Sequence, residues 1–317
     1  MRILLVRLGA MGDIIHALPA AATIRTALGH CSLTWMVEPR WAPLLAGNPY
    51  VDELLPFDRR SAAGIRDAIV SLRRGSFSLA LDLQGLIKSA LAAVIARPDR
   101  VFGLHRSLVR EKPAALFYSS AVESSAAHVV DRYIDVALAA GGGRPARLFP
   151  IPAGEAEGEL PAGRFILACP LAGWTSKQWP LEHWEALGRR LGEAGVPLVL
   201  NGPPAAAATL AKVGSAHVHL SGLPGLIDAS RRALAVVGVD SGPLHLAAAL
   251  DKPGVAIFGP TDPARNGPYG ESIRVVRARD AETTYRRGTE IAPSMRAISP
   301  ESVFETLTAA LTGTRGS

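Results

Sequence analysis

Three short segments place chemistry-bearing side chains where the chain turns out of an apolar run. The first is Arg7-Leu-Gly-Ala-Met-Gly-Asp13-Ile-Ile-His16. Gly9 and Gly12 let a backbone turn tightly and approach a ligand closely, and a helix opening here offers free amide donors to an anion. Only one spacing of a dinucleotide-binding glycine motif is present and the third glycine is missing, so a nicotinamide dehydrogenase is weakly supported. Taken alone, Asp13 reads as a helix-capping or first-turn carboxylate. The second segment, Asp240-Ser-Gly-Pro-Leu-His245, also leaves an apolar run and starts a helix. Its Ser241 and Gly242 amides are natural phosphate donors, and Pro243 fits a first turn where no N–H is needed. A structural alternative has Asp240 capping that helix and His245 packing in the core. The third, Trp174-Thr-Ser-Lys177-Gln-Trp179, sets a cation in a strand-to-helix loop, which also describes a solvated lysine.

Charge narrows the partners. The net charge of +6 favours anionic ligands such as nucleic acid, anionic lipid or a phosphorylated sugar. Arg59, Arg60, Arg66, Arg73 and Arg74 form a basic cluster, accompanied by Arg97, Arg100, Arg106, Arg110 and Lys112. Guanidinium groups pair well with phosphate and carboxylate, although a solvated basic face has the same composition. Nucleic acid is disfavoured, because aromatic residues are only 6% and no nucleic-acid module is recognisable. No Asp-x-Asp pair occurs, which removes the usual carboxylate clamp for a metal-bound nucleotide diphosphate. Cys31 and Cys169 lack metal-ligand spacing and read as reduced, buried small residues.

The elements that must hold these segments follow from the apolar pattern. With 317 residues, 48% hydrophobic and 20% charged, the chain suits two globular cores. Short apolar runs at residues 3–6, 33–37, 79–83, 165–169, 196–200, 236–239 and 254–258 read as buried parallel strands. Amphipathic stretches such as 14–28 and 181–194 lie between them, and this alternation predicts an α/β fold of two doubly wound, Rossmann-like domains facing a cleft, with ligands at the carboxyl ends of the strands. Enrichment in Gly, Pro and Ala between about Gly141 and Pro161 predicts the domain boundary, drawn at 150/151. A last helix is expected from Pro300 to Leu311, capped by Ser299, followed by a fraying tail. No window is apolar enough to span a bilayer, and Arg7 and Asp13 interrupt what would be the core of a signal peptide.

In order along the chain, these motifs resemble glycosyltransferase family 9, the ADP-heptose:lipopolysaccharide heptosyltransferases. The opening motif is similar to the family's, Asp82-Leu-Gln-Gly-Leu-Ile-Lys88-Ser to its acceptor-domain motif, and Trp174 to Pro180 to its donor-phosphate motif. Gly238 to Leu250, running into Phe258-Gly-Pro-Thr-Asp-Pro263, is similar to its signature. Met36-Val-Glu38 and Arg110 to Tyr118 resemble the heptosyltransferase I branch, which adds the first heptose to the Kdo of lipid A.

The resemblance implies a GT-B architecture: acceptor domain 1–150, nucleotide-sugar domain 151–299, and a C-terminal helix and tail, 300–317, packing back on the first domain. It implies inverting, metal-independent transfer from ADP-heptose to Kdo-lipid A, with no cofactor, by a cytoplasmic protein peripheral to the anionic inner membrane surface. Asp13 becomes the expected base. Lys177, Thr175, Asp240, Ser241, Gly242, His245 and Asp262 are expected on the donor, although Asp262 between two prolines could simply make a turn. Gly12, Gln84, Lys88, Arg59, Arg60 and Arg110 are expected on the acceptor. One departure weakens the donor assignment: where the family commonly places an acidic residue after a Gly-x-Pro turn, Asn201-Gly-Pro-Pro204 runs into four alanines. Transfer from another nucleotide sugar, or noncatalytic nucleotide-sugar binding, are the alternatives.

Overall fold

A computed structural model describes residues 1–284 and 286–313. The chain divides into two units, Met1–Pro152 and Ala153–Ser317, within the boundary region that the Gly, Pro and Ala enrichment predicts. Each unit carries one six-stranded parallel sheet.

In the first, β1 (Arg2–Val6), β2 (Ser32–Val37), β3 (Glu53–Pro56), β4 (Leu79–Asp82), β5 (Arg100–Leu104) and β6 (Ser120–Val122) lie in the order β3-β2-β1-β4-β5-β6. The chain winds outward from β1 in one direction and from β4 in the other, so the gap between these two strands is the topological switch point. Leu5 on β1 stands between Trp35 and Leu81, all fully buried. The Met11–Leu28 helix, predicted to start at residue 14, begins two residues after Gly9 with Gly12 in its first turn, and packs against Val129–Gly141. Right-handed crossovers place the Ala62–Arg74 and Ile87–Ile95 helices on the opposite face.

The second sheet repeats the plan. Its strands are β7 (Ile166–Cys169), β8 (Leu198–Gly202), β9 (His217–Leu220), β10 (Ala235–Val239), β11 (Gly254–Phe258) and β12 (Ile273–Arg277), in the order β12-β11-β10-β7-β8-β9, with the switch point between β7 and β10. The strand expected at 196–200 lies two residues later, because Pro197 has no N–H to give to the ladder. Trp179 and Trp184, ring centroids 5.0 Å apart, fill the core beside Val237 and Ile257.

The last helix, Pro300–Gly313, is bound into the second domain. Val303 and Leu307 are buried in the second domain's core, against the Leu181–Glu193 helix, β11 and β12. Arg190 fixes the contact from that helix, pairing with Glu301 and lying 4.8 Å over the Phe304 ring. The apolar stripe thus finds its partner within its own domain. The tail beyond residue 313 lies outside the described residues.

Candidate active site

At the switch point of the second domain, three neighbouring strands deliver polar side chains to one edge. β7 leads through a tight turn, Thr175–Lys177, to Lys177; β10 leads to Asp240; β11 leads to Thr261. Asp240 Oδ2 accepts hydrogen bonds from Lys177 Nζ at 2.5 Å and Thr261 Oγ1 at 2.7 Å, while His245 Nε2 lies 3.7 Å from Oδ1, an ion-pair distance rather than a hydrogen bond. Burial works against the Asp240 carboxylate, yet His245 and the Lys177 ammonium outweigh it and hold its pKa well below the usual range. Lys177 Nζ sits 4.4 Å over the Trp174 ring, a cation–π contact that orients the ammonium while leaving it N–H groups to donate.

Asp240 does not cap the following helix. Ser241 is the N-cap residue of Gly242–Ala249, and its hydroxyl makes no capping bond. Instead Ser241 Oγ and Ser176 Oγ are shut off from solvent without a partner among the described residues, at the start of this helix and in the lysine turn. Buried hydroxyls are nearly always bonded, so two orphans beside free helix-start amides and a cation describe a site for an oxyanion. Thr175 is exposed in the same turn. Asp262 takes the turn role: its Oδ1 accepts from Ala264 N at 2.9 Å and caps Pro263–Asn266. Beneath this edge, burial pushes the Cys169 thiol up to about 12, which makes it inert at neutral pH.

The first domain gathers its polar groups at the equivalent place, after β1 and β4. Arg7 is 5% exposed. Its guanidinium donates to Asp13 Oδ2 at 2.6 Å, the Leu83 carbonyl at 2.6 Å and Tyr133 Oη at 3.0 Å. Burial opposes the Arg7 charge, but Asp13, Tyr133 and Asp82 outweigh it and raise its pKa. Asp13 Oδ2 also accepts from the Ala10 amide at 3.2 Å, so the capping role read from the sequence is real. Both bonds use Oδ2; the side chain is 33% exposed and its Oδ1 has no bond within the described residues. Gly12 is buried one residue before Asp13.

Gln84 ties the two loops of this edge together, accepting from Leu8 N at 2.9 Å. Asp82 below it is a fully buried hub that accepts from the Gln84 and Gly85 amides, Ser89 Oγ and, at 2.7 Å, Tyr118 Oη. Burial pushes Asp82 up against those four bonds. Gly103 is required here, since a Cβ on it would lie 2.3 Å from the Tyr118 ring.

The remaining acceptor candidates separate into two groups. Arg59 pairs with Glu38 at 2.9 Å, as does Arg40 at 2.8 Å, and with Arg60 and Phe57 they line an open pocket of about 250 Å³. Lys88 and Arg110 lie elsewhere, on the Ile87–Ile95 helix and on the loop whose Glu111 accepts from Ile87 N at 2.8 Å. Sequence reasoning assigned no role to Arg7, Tyr133, Asp82 or Thr261. An arginine directly after the apolar run Ile3 to Val6 was the available signal for the first. Among the described residues no three His, Cys, Asp or Glu side chains converge as a metal ion requires.

With this geometry in place, similarities to known proteins can be given. A profile of glycosyltransferase family 9 (heptosyltransferase) matches residues 65–294. Lipopolysaccharide heptosyltransferase 1 of Pseudomonas aeruginosa is 31% identical over 302 residues, 86% of this chain and 82% of that protein. The structure of Escherichia coli heptosyltransferase WaaC with ADP is similar at a TM-score of 0.77 and 26% identity, over 98% of this chain and 100% of that one. WaaC with ADP-2-deoxy-2-fluoro heptose gives 0.74 at 26% identity, over 98% and 99%.

Proposed function

Because the chain belongs to glycosyltransferase family 9, the heptosyltransferases, we propose that it transfers heptose from ADP-heptose to the Kdo of lipid A in lipopolysaccharide core synthesis, with inversion and without a metal ion. The observation that carries this reading is the convergence of Lys177, Asp240 and Thr261 from adjacent strands with His245 from the helix after Asp240, beside the Ser241 hydroxyl at that helix start and the Ser176 hydroxyl in the lysine turn, both without a partner among the described residues. A diphosphate accepts what that edge offers: the Ser241 and Gly242 amides, the hydroxyls of Ser241 and Thr175, and the N–H groups of Lys177 not given to Asp240. Asp240, kept ionised, has acceptor capacity for the sugar hydroxyls.

In the reaction an acceptor hydroxyl oxygen attacks the anomeric carbon from the face opposite the diphosphate. The carbon–oxygen bond to ADP breaks as the new glycosidic bond forms, and the hydroxyl proton passes to Asp13 Oδ1. Positioned bases contribute about 100- to 10,000-fold. The charge that collects on departing ADP is met by the ammonium and amides already aimed at it, the role a metal ion would otherwise take. Gln84, Lys88, Arg59, Arg60 and Arg110 serve the acidic acceptor. A membrane lipid as acceptor makes this a peripheral protein at the cytoplasmic face of the inner membrane; no helix among the described residues is long and apolar enough to cross one.

The test is incubation with a panel of ADP-, GDP- and UDP-sugars and Kdo-lipid A, with the product identified by mass. A heptose increment from ADP-heptose alone is expected. Donor binding with no turnover on any acceptor would instead favour a noncatalytic nucleotide-sugar binder.

A further inference from the structure

Apolar side chains on the outer face of the first domain stand in solvent where a folded core has no use for them. On the Ile87–Ile95 helix, Ser89, Ala90, Ala92 and Ala93 face the sheet, whereas Ile87, Leu91 and Val94 are 39%, 41% and 40% exposed. Spacings of four and three residues put those three on one outward stripe. Beside the helix runs the Lys112–Phe117 turn, whose Ala114 is fully buried and whose Leu116 is 87% exposed. Leu116 is therefore held outward by a well-anchored turn. Single exposed apolar residues are ordinary, but an ordered stripe with a neighbouring protruding leucine marks an interaction surface.

The rim of the patch indicates the partner. Lys88, Arg110 and Lys112 are all exposed around the start of the helix. Glu111, also exposed, is the acidic residue among them, and its carboxylate accepts from Ile87 N at 2.8 Å, so the rim carries three cations to one anion. Leucine and isoleucine with an excess of cations at one end of the stripe suit the boundary between anionic headgroups and acyl chains. The same helix starts at the carboxyl end of β4, the edge that carries Gln84, so a lipid surface seated on the patch would present its headgroups beside the acceptor residues.

We propose that the Ile87–Ile95 stripe and Leu116 insert into an anionic lipid bilayer and dock the first domain on it. This surface deepens the reading of a lipid-linked acceptor and rests on it, but docking is measured without any turnover.

The experiment is flotation of the full chain with vesicles of phosphatidylethanolamine and phosphatidylglycerol, and with phosphatidylcholine vesicles. The wild type is compared with Leu91→Gln, Leu116→Gln and the double variant. Thermal unfolding and transfer to a deacylated Kdo acceptor report folding and chemistry. The wild type should float with anionic vesicles and weakly with neutral ones. Each substitution should lower partitioning at least roughly tenfold, which corresponds to about 1.4 kcal/mol, with unfolding temperature and deacylated-acceptor turnover unchanged. Leu116→Gln, at a site so exposed, keeps the test valid if Leu91→Gln fails to fold. Variants that float like the wild type would overturn the proposal. So would a wild type that ignores anionic vesicles, or one that dimerises through the patch and dissociates in the double variant without binding lipid. Normal docking with no transfer to any acceptor would leave the docking surface standing and remove the enzymatic reading instead.

Discussion

Replacing Asp13 with asparagine tests two roles of one carboxylate, and the structure separates them. Asparagine keeps the shape but can neither take the acceptor's proton nor neutralise Arg7. Loss of a positioned base should lower turnover at least ~100-fold, about 3 kcal/mol of transition-state stabilisation. Stability should fall too, because Arg7 is 5% exposed and its guanidinium would keep Tyr133 Oη, the Leu83 carbonyl and a neutral amide oxygen but lose the carboxylate that neutralises it. Removing one partner of a buried pair costs about 3–5 kcal/mol. With the Asp13 side chain 33% exposed, water can reach the broken pair, so about 2–3 kcal/mol is the appropriate figure. For a domain of this size that lowers the unfolding temperature by about 4–12 °C. The decisive comparison is the double variant Arg7→Met with Asp13→Asn, which removes the stranded charge. Calorimetry should show stability largely restored, while steady-state transfer stays at the level of Asp13→Asn. Recovery of turnover along with stability would show that Asp13 acts only as the counter-ion of Arg7. Near-normal turnover in a folded Asp13→Asn protein would remove the base assignment altogether.

Lys177→Met should raise the donor KM at least tenfold and weaken acid dependence. Asp240 is held below its ordinary range, so its stabilising contribution is complete above the unfolded value near 3.9 and is lost as pH falls below that. The variant should therefore lose less stability than wild type between pH 6 and 3, and parallel denaturation profiles would refute the pairing. Exhaustive chelation should leave transfer intact, because cations and amides neutralise the diphosphate; loss restored by magnesium would contradict this. Neutralising Arg59, Arg60, Arg66, Arg73 and Arg74 together should weaken acceptor use and flatten its salt dependence while donor affinity is retained. Identical rate curves at low and high salt would place that cluster on an idle face.

Local chemistry was enough to read part of this protein from its sequence. Glycines that permit a turn, apolar runs too short for helices and a Pro- and Gly-rich junction act through neighbouring residues, so the boundary, the Asp13 and Asp240 motifs and the central strands were readable, except β5, which Arg100 and Gly103 interrupt. Edge strands β3, β6, β9 and β12 were not, since Glu53, Ser120, His217 and Arg274 interrupt the apolar pattern that full burial would impose. Period shows that a helix hides one face but not against what, so the burial of Val303 and Leu307 in the second domain's core could not be read from it. The site's chemistry likewise depended on distant partners. Arg7 meets Tyr133 across 126 positions and Lys177 meets Asp240 across 63. The second meeting arises because β7 and β10, far apart in the chain, become neighbours at a switch point, and the first because the Val129–Gly141 helix, which carries Tyr133, packs against the Met11–Leu28 helix that follows Arg7. Only that tertiary order turned an exposed-looking lysine into the partner of a buried carboxylate, and a helix-capping aspartate into the counter-ion of a buried arginine.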